Sequence, residues 1–166
     1  MNPTGLEFRK LTHLDWEAVS RIYKEGLSTG IASFETGVPS WSSWDKAHDD
    51  QCRLVVTLNE QVIAYSALRK VSNRPQFSGV AEMRIYVSAA YRGIGVGTRL
   101  INQTIRISES LEYWTLQVFI FKENKQAISL HEKVGFEKIG ICRKIAKREN
   151  KWHDIVFLER RSLVIG

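Results

Sequence analysis

The sequence is poor in the residues and patterns that mark disulfide-bonded, metal-bound or membrane proteins. Its 166 residues include 2 cysteines and 4 histidines, with no C-x-x-C pair and no H-x-x-x-H spacing. No apolar run approaches the roughly 18 residues of a membrane helix. Residues 1–10 lack the charged-then-apolar pattern of a signal peptide. We therefore expect no metal, no disulfide framework and no membrane span, and we expect the protein to be cytoplasmic.

Linkers and repeats are also missing. The chain has 3 prolines and no low-complexity tract, and a length of 166 residues with 43% hydrophobic residues suits a single domain over residues 1–166. The net charge of +6 attracts anions without distinguishing nucleic acid from a phosphorylated cofactor. The basic segment 143–151 has little aromatic interleaving, which argues against a nucleic-acid surface. We expect no nucleic-acid partner.

Hydrophobic periodicity predicts a series of helices and strands. Helices are predicted at residues 15–27, 40–50, 96–105 and 124–134. Strands are predicted at residues 6–10, 54–58, 62–68, 80–87, 114–121, 136–145 and 152–158. The run 114–121 is nearly all apolar, as in a strand buried on both faces, and the basic residues 147–151 are expected to join the last two strands. The pattern predicts an α/β fold with a mixed sheet and helices on its faces.

The predicted strand 80–87 carries a carboxylate on one face. Hydrophobic side chains alternate there with Glu82, Arg84 and Tyr86. Because side chains in a strand alternate with a period of two, these three share a face. Glu82 could act as a general base in a cleft, or it could be an ordinary strand residue paired with Arg84.

A glycine-rich turn follows this strand. The segment 92–97, R-G-I-G-V-G, places three glycines at alternate positions just before a helix. Backbone amides there can approach a ligand without obstruction by Cβ atoms, and the helix dipole favours an anion. The segment matches neither the Walker loop nor the G-x-G-x-x-G pattern. It predicts either a phosphate site or a turn that packs a helix against the sheet.

This order of strand, glycine turn and helix resembles the coenzyme A pyrophosphate loop of the GNAT superfamily of N-acetyltransferases. The resemblance rests on V-x-x-x-x-R-x-x-G-x-G at 87–97 and on L-H-E-K-V-G-F at 130–136. It covers residues 6–160. It implies a GNAT-type fold, with a mixed, mostly antiparallel central sheet flanked by helices, and acetyl-CoA as the cosubstrate.

Within that superfamily the chain is similar to the phosphinothricin/methionine sulfoximine acetyltransferase-like group. The similar segments are A-S-F-E-T at 32–36, R-P-Q-F at 74–77, A-E-M-R-I-Y-V at 81–87 and W-H-D-I-V at 152–156. The group acetylates the α-amine of small amino acid analogues. The similarity implies such an acceptor and, because members are commonly homodimers, a homodimer.

The resemblance assigns the donor site to the backbone. Strand residues would pair with the pantetheine arm, and an amide near Val87 would hold the thioester oxygen. The amides of the glycine turn would bind the pyrophosphate. Asn124 would touch the pantetheine, although a plain helix N-cap explains it equally well. The implied cofactor-binding residues are Ile85, Tyr86, Val87, Arg92, Gly93, Ile94, Gly95, Val96, Gly97, Thr98 and Asn124.

For catalysis the resemblance implies Glu82 as the base that removes the ammonium proton of the acceptor. His131 stands where many GNAT enzymes carry a tyrosine that protonates the departing thiolate. A histidine can donate a proton near neutral pH, but on an apolar helix stripe it can also be a packing residue. Tyr86 and Tyr91 are the alternative acids.

For the acceptor, the group's R-P-x-[FY] element implies that Arg74 pairs with the amino acid carboxylate. The alternative is a solvated loop arginine. Phe77 and Phe34 are the expected apolar walls of the acceptor site.

Two other functions remain as alternatives. A GNAT enzyme acting on a peptide amino terminus, a polyamine or an aminoglycoside would use the same chemistry. Acceptors with many positive charges predict an acidic cleft, against which Arg74 argues. A non-catalytic module that binds coenzyme A predicts loss of the base, whereas Glu82 is present.

Overall fold

The computed structural model describes residues 4–166 as a seven-stranded sheet flanked by four α-helices. The strands are β1 (Glu7–Lys10), β2 (Arg53–Leu58), β3 (Gln61–Lys70), β4 (Val80–Val87), β5 (Thr115–Phe121), β6 (Glu137–Arg148) and β7 (Lys151–Arg161). The helices are α1 (Trp16–Ser28), α2 (Trp41–Ala47), α3 (Val96–Ser110) and α4 (Lys125–Lys133). Each predicted strand and helix is confirmed, and so is the α/β class.

The strand order is β1-β2-β3-β4-β5-β7-β6, and every neighbouring pair is antiparallel except β4 with β5. The parallel pairing is short, running from Val80 opposite Thr115 to Glu82 opposite Gln117. Beyond Glu82 the two strands part. The sheet therefore has a gap beside the second half of β4.

The helices cover opposite faces of the sheet. Tyr65 and Tyr86 pack with α1 and α2 on one face, whereas Ala81 and Met83 pack with α3 and α4 on the other. This confirms that Glu82, Arg84 and Tyr86 share the α1/α2 face. Residues 4–166 contain no helix that is both long and apolar enough to cross a membrane.

Two sequence-based expectations are wrong in detail. The strand β5 is not buried on both faces, because Phe119 is 47% exposed and stacks on Phe157, with ring centroids 4.9 Å apart. The basic segment is not a loop, because β6 continues through Arg148. Glu149 and Asn150 alone form the turn, with φ of 48° and 63°, which suits a two-residue hairpin. Lys147 and Lys151 are exposed at the end of the hairpin, whereas Arg148 is largely buried and its Nη2 donates to the carbonyl of Leu27 at 3.2 Å.

Candidate active site

The gap exposes one edge of β4. In the described part of the chain, β4 has no strand partner on its β5 side after Glu82. This edge includes Ile85, Tyr86 and Val87, the residues expected to hold the pantetheine arm. An extended molecule with amide groups can pair with such an edge as an added strand. The edge is therefore suited to bind a linear ligand that runs through the gap.

The glycine turn follows at the end of β4. Gly93 and Gly95 have φ of 78° and 85°, in the left-handed region that other residues enter at a cost. Gly95 is the N-cap of α3, so the amides of Val96, Gly97 and Thr98 have no partner within the helix. Three such amides, together with the helix dipole, are suited to bind an anion.

Gly97 has a different reason to be glycine. A Cβ atom there would lie 3.0 Å from Cδ2 of Leu130 in α4. The absence of a side chain thus lets α3 and α4 pack closely. Gly93 and Gly95 thus shape the turn, and Gly97 contacts α4 rather than the sheet. Binding of a phosphate at this turn stays a prediction.

Arg92 and Asn124 brace the rim of the gap. Nε of Arg92 donates to the carbonyl of Val87 at 3.0 Å, which fixes the glycine turn to the end of β4. Oδ1 of Asn124 accepts from the amide of Ala127 at 3.1 Å, so Asn124 is the N-cap of α4. Its Nδ2 donates to the carbonyl of Ile31 at 3.4 Å, which ties the α1–α2 loop to α4. A contact of Asn124 with the cofactor stays a prediction.

Glu82 lies where the strands begin to part. Its Oε1 accepts a hydrogen bond from Nε of Arg84 at 3.1 Å, and its side chain is 21% exposed. Burial is the largest single effect on Arg84 and lowers its pKa. The charge and hydrogen bond of Glu82, together with Tyr86 and Tyr23, outweigh burial, so the pKa of Arg84 is raised. The pairing with Arg84 and a role as base are compatible, because the carboxylate remains accessible to a ligand in the gap.

His131 lies on the other face of the sheet, in α4. Its ring is 3% exposed and packs edge-on against Phe136, with centroids 5.1 Å apart. Nδ1 donates to the carbonyl of Ala127 at 2.8 Å, so the ring proton sits on Nδ1. Nε2 is buried and has no partner within residues 4–166. Burial lowers the pKa of His131, which favours the neutral ring. The acid role of His131 stays a prediction.

The two alternative acids are both engaged elsewhere. The Tyr86 ring lies between Tyr23 and Tyr65, at centroid distances of 5.0 and 5.3 Å, and burial raises its pKa. Tyr91 donates to Oε1 of Gln61 at 3.3 Å. The side chain of Tyr86 thus packs among aromatic rings, and its backbone lies on the open edge of β4.

Two pockets flank Glu82 on the α1/α2 face. The first, of about 450 Å³, is here called the Arg74 pocket and also contains Phe77, Gln117 and Glu159. The guanidinium of Arg74 lies 5.4 Å from the ring centroid of Phe77, which is 42% exposed. The structure therefore brings together Arg74 and Phe77. It places Phe34 elsewhere, against Phe121, with ring centroids 4.4 Å apart and an interplanar angle of 33°.

The second pocket, of about 170 Å³, is not anticipated in the sequence interpretation. It is here called the Arg84 pocket, and its lining includes Arg69, Arg84, His48, Glu35 and the aromatic rings of Tyr23, Trp44, Tyr65 and Tyr86. Burial lowers the pKa of His48 to about 4, with a further contribution from the charges of Arg84, Arg69 and Arg53. The alternation of side chains in β4 is enough to predict that Arg84 shares a face with Glu82. Arg69 comes into the site only through the β3–β4 register, in which it lies opposite Glu82.

Comparisons with known proteins agree with this geometry. The model of the acetyltransferase (GNAT) family matches residues 16–136. The "Putative phosphinothricin acetyltransferase YwnH" of Bacillus subtilis is 31% identical over 160 residues, covering 93% of this chain and 98% of the relative. The phosphinothricin N-acetyltransferase of Streptomyces viridochromogenes is 26% identical, covering 93% of this chain and 87% of the relative.

A solved structure shows the same fold. The GNAT superfamily phosphinothricin acetyltransferase of Sinorhizobium meliloti, crystallised with acetyl-CoA, superposes with a TM-score of 0.86 at 23% identity and covers 95% of this chain and 89% of its own. The family match runs from the first residue of α1 to Phe136, three residues after the end of α4, and includes β2 to β5. The chain belongs to the GNAT family of N-acetyltransferases.

Proposed function

We propose that this protein is an acetyl-CoA-dependent N-acetyltransferase that acetylates the α-amine of a small amino acid or analogue, of the phosphinothricin or methionine sulfoximine/sulfone type. The observation that carries the proposal is the position of Glu82. Glu82 is the last β4 residue paired with β5, and its neighbours on the same face of β4 line the two pockets, with Val80 in the Arg74 pocket and Arg84 and Tyr86 in the Arg84 pocket. The names of the Bacillus and Streptomyces relatives support the acceptor class.

The open edge and the glycine turn fit acetyl-CoA. Backbone groups of Ile85, Tyr86 and Val87 would hold the pantetheine amides, and the amides of residues 93–98 would hold the pyrophosphate. Arg92 adds a positive charge beside them. When bound, acetyl-CoA supplies the acetyl group as a thioester. An amide near Val87 would stabilise negative charge that develops on the carbonyl oxygen.

Glu82 removes the proton that keeps the acceptor amine from acting as a nucleophile. An ammonium has no lone pair, so it must lose a proton before nitrogen attacks the thioester. Arg84 orients the carboxylate through its Nε hydrogen bond. The amine attacks directly, and no side chain forms a covalent intermediate. Holding both substrates in one gap accelerates the reaction, because the amine and the thioester are kept close together.

His131 is proposed to border the departing thiolate on the α4 side of the gap. To donate a proton from Nε2, the ring must gain a second proton or exchange the one on Nδ1. The lowered pKa opposes the first route, and the bond to Ala127 opposes the second. A role of His131 as acid therefore requires a change in this bond or in its surroundings when ligands bind.

Arg74 is proposed to bind the acceptor carboxylate. A guanidinium pairs with a carboxylate through two parallel hydrogen bonds, and Phe77 holds the guanidinium over its ring. Phe34 would contribute an apolar wall on the Phe121 side rather than beside Arg74. Polyamines and aminoglycosides, which carry several positive charges, are disfavoured by this arginine.

The test is thiol release from acetyl-CoA with a panel of amino acids, phosphinothricin, methionine sulfoximine, polyamines and a short peptide. We expect selective turnover of carboxylate-bearing amines. Glu82→Gln should lower kcat by about 10²- to 10⁴-fold, the usual contribution of a general base, without changing the KM for acetyl-CoA. Glu17→Gln, on the exposed side of α1, is the matched control.

Two results contradict the proposal in different ways. Turnover of polyamine or peptide alone would refute the amino acid acceptor and the role of Arg74. Binding of coenzyme A without turnover of any acceptor would favour the non-catalytic module.

We also propose that the protein is a cytoplasmic homodimer. Ile139, Ile141 and Ile145 are exposed along β6, an edge strand of the sheet, and Trp152 is exposed beside them on β7. Apolar side chains along an edge suit contact with a second chain. Light scattering should give twice the mass of one chain, and the mass of one chain would contradict the dimer.

A further inference from the structure

The donor and proton-transfer roles above leave the Arg84 pocket without a ligand. Along the α1/α2 face of β4, Val80 lines the Arg74 pocket, Glu82 comes next, and Arg84 and Tyr86 line the Arg84 pocket. Successive side chains on one face are about 6.6 Å apart, since a strand rises about 3.3 Å per residue. Val80 and Arg84 are therefore about 13 Å apart along the strand. The catalytic carboxylate lies between the two pockets, and Nε of Arg84 lies 3.1 Å from it.

The chemistry of the Arg84 pocket is that of an anion site with aromatic walls. Nε of Arg84 pairs with Glu82, which leaves the two Nη groups of the guanidinium available to a ligand. Within residues 4–166, Arg69 makes no ion pair. The depressed pKa of His48 is consistent with the field of both arginines.

One negative charge also lines this pocket. Glu35 and Arg69 are exposed, whereas Arg84 is half-buried. Water screens an exposed charge more strongly than a half-buried one, so the charge of Arg84 dominates the potential inside the pocket. The volume of about 170 Å³ lies below the range of about 300–1,000 Å³ for drug-sized ligands. The pocket is therefore sized for one short acidic group.

We infer that the Arg84 pocket binds the acidic end of the acceptor side chain, so that the enzyme prefers amino acids with a carboxylate or phosphinate side chain over neutral ones of the same shape. This inference rests on the proposed function. The α-carboxylate lies at Arg74, the α-amine at Glu82 and the side-chain acid at Arg69 and Arg84. A neutral sulfone or amide offers no anionic partner to Arg69 or to the Nη groups of Arg84, and it loses charge-assisted hydrogen bonds.

Matched pairs of acceptors test the preference. We expect kcat/KM for phosphinothricin to exceed that for methionine sulfone at least tenfold, and glutamate to exceed glutamine in the same way. Arg69→Gln should lower kcat/KM at least tenfold for the acidic member of each pair and change the neutral member less than twofold. Arg69 is the position to change because Arg84 also contacts Glu82. Arg106→Gln, on the exposed side of α3, is the control.

A binding measurement separates this inference from the proposed function. Glutarate has two carboxylates and no amine, so it cannot be acetylated, and calorimetry measures its binding to the pocket in the absence of turnover. We expect wild-type protein to bind glutarate and Arg69→Gln to bind it at least tenfold more weakly, even if no amino acid is acetylated. The inference is overturned if Arg69→Gln lowers kcat/KM equally for the acidic and the neutral acceptor of each pair. It is also overturned if this variant binds glutarate as tightly as the wild-type protein does. Acetylation of amino acids in that case leaves the proposed function in place.

Discussion

The proposed donor side of the gap and the proposed acceptor side are built in different ways. The donor side is one continuous strand-turn-helix segment, residues 85–98, and it presents mostly backbone. The acceptor side collects side chains from α1, α2, β3, β4, β5, β7 and the intervening loops. Backbone recognition depends on a local conformation, whereas side-chain recognition depends on which residues the sheet register brings together. The donor side can therefore stay constant while the acceptor side changes.

This difference predicts how substitutions behave. A change on the donor side should affect every acceptor equally, because all of them react with the same thioester. A change on the acceptor side should alter the ratio of rates between acceptors. The following substitutions are expected to give effects of decreasing size.

Gly95→Ala should damage the donor side most. With φ of 85°, any side chain at Gly95 is strained by about 1–2 kcal/mol, so the turn shifts and its amides move. We expect the KM for acetyl-CoA to rise at least tenfold with each acceptor. Gly140→Ala is the matched control, since a Cβ there meets no atom within 4 Å and its φ is not positive. A KM that differs between acceptors would contradict the separation of the two sides.

The same contrast explains what the sequence predicts and what it does not. The glycine turn, the β4 alternation and the N-cap at Asn124 depend on neighbours within a few residues, so spacing alone indicates them. The contact between Arg69 and the site depends on the β3–β4 register, in which residue 69 faces residue 82. The separation of Phe34 from Phe77 likewise depends on how the α1–α2 loop folds onto Phe121. No local pattern specifies these contacts.

Arg74→Gln should act on the acceptor side alone. A hydrogen bond to a charged group contributes about 1.5–3 kcal/mol, so the KM for an amino acid should rise at least tenfold. The KM for acetyl-CoA should stay the same, because the Arg74 pocket lies on the opposite side of Glu82 from the glycine turn along β4. Steady-state kinetics with each substrate varied in turn measures both, with Arg106→Gln as the control. Equal changes in the two KM values would show that Arg74 acts on folding rather than on binding.

His48, which lines the Arg84 pocket, should make the free energy of unfolding depend on pH. Its pKa is about 4 in the folded protein, because of burial first and the nearby arginines second, and about 6.5 in an unfolded chain. Above pH 6.5 the ring is neutral in both states. As the pH falls below 6.5, only the unfolded state gains the proton, so the free energy of unfolding decreases.

The measurement is urea unfolding at pH 7 and pH 5.5. Wild-type protein should lose about 1 kcal/mol more than His48→Gln over this interval, from the linkage between proton binding and unfolding. His131, whose pKa is also lowered, titrates in the same direction in both proteins and cancels in the comparison. An identical pH dependence in the two proteins would contradict the lowered pKa of His48.

Gly97→Ala should give the smallest effect and decide why the third glycine of the turn is glycine. The new Cβ would lie 3.0 Å from Cδ2 of Leu130, the end of a flexible side chain that can move by a few tenths of an ångström. The φ of Gly97 is helical rather than left-handed, so the backbone is not strained. We expect the KM for acetyl-CoA to change less than threefold and the melting temperature to fall by a few degrees. If Gly97→Ala instead weakened acetyl-CoA binding as much as Gly95→Ala does, close approach of a phosphate rather than packing of α3 on α4 would be the reason for this glycine.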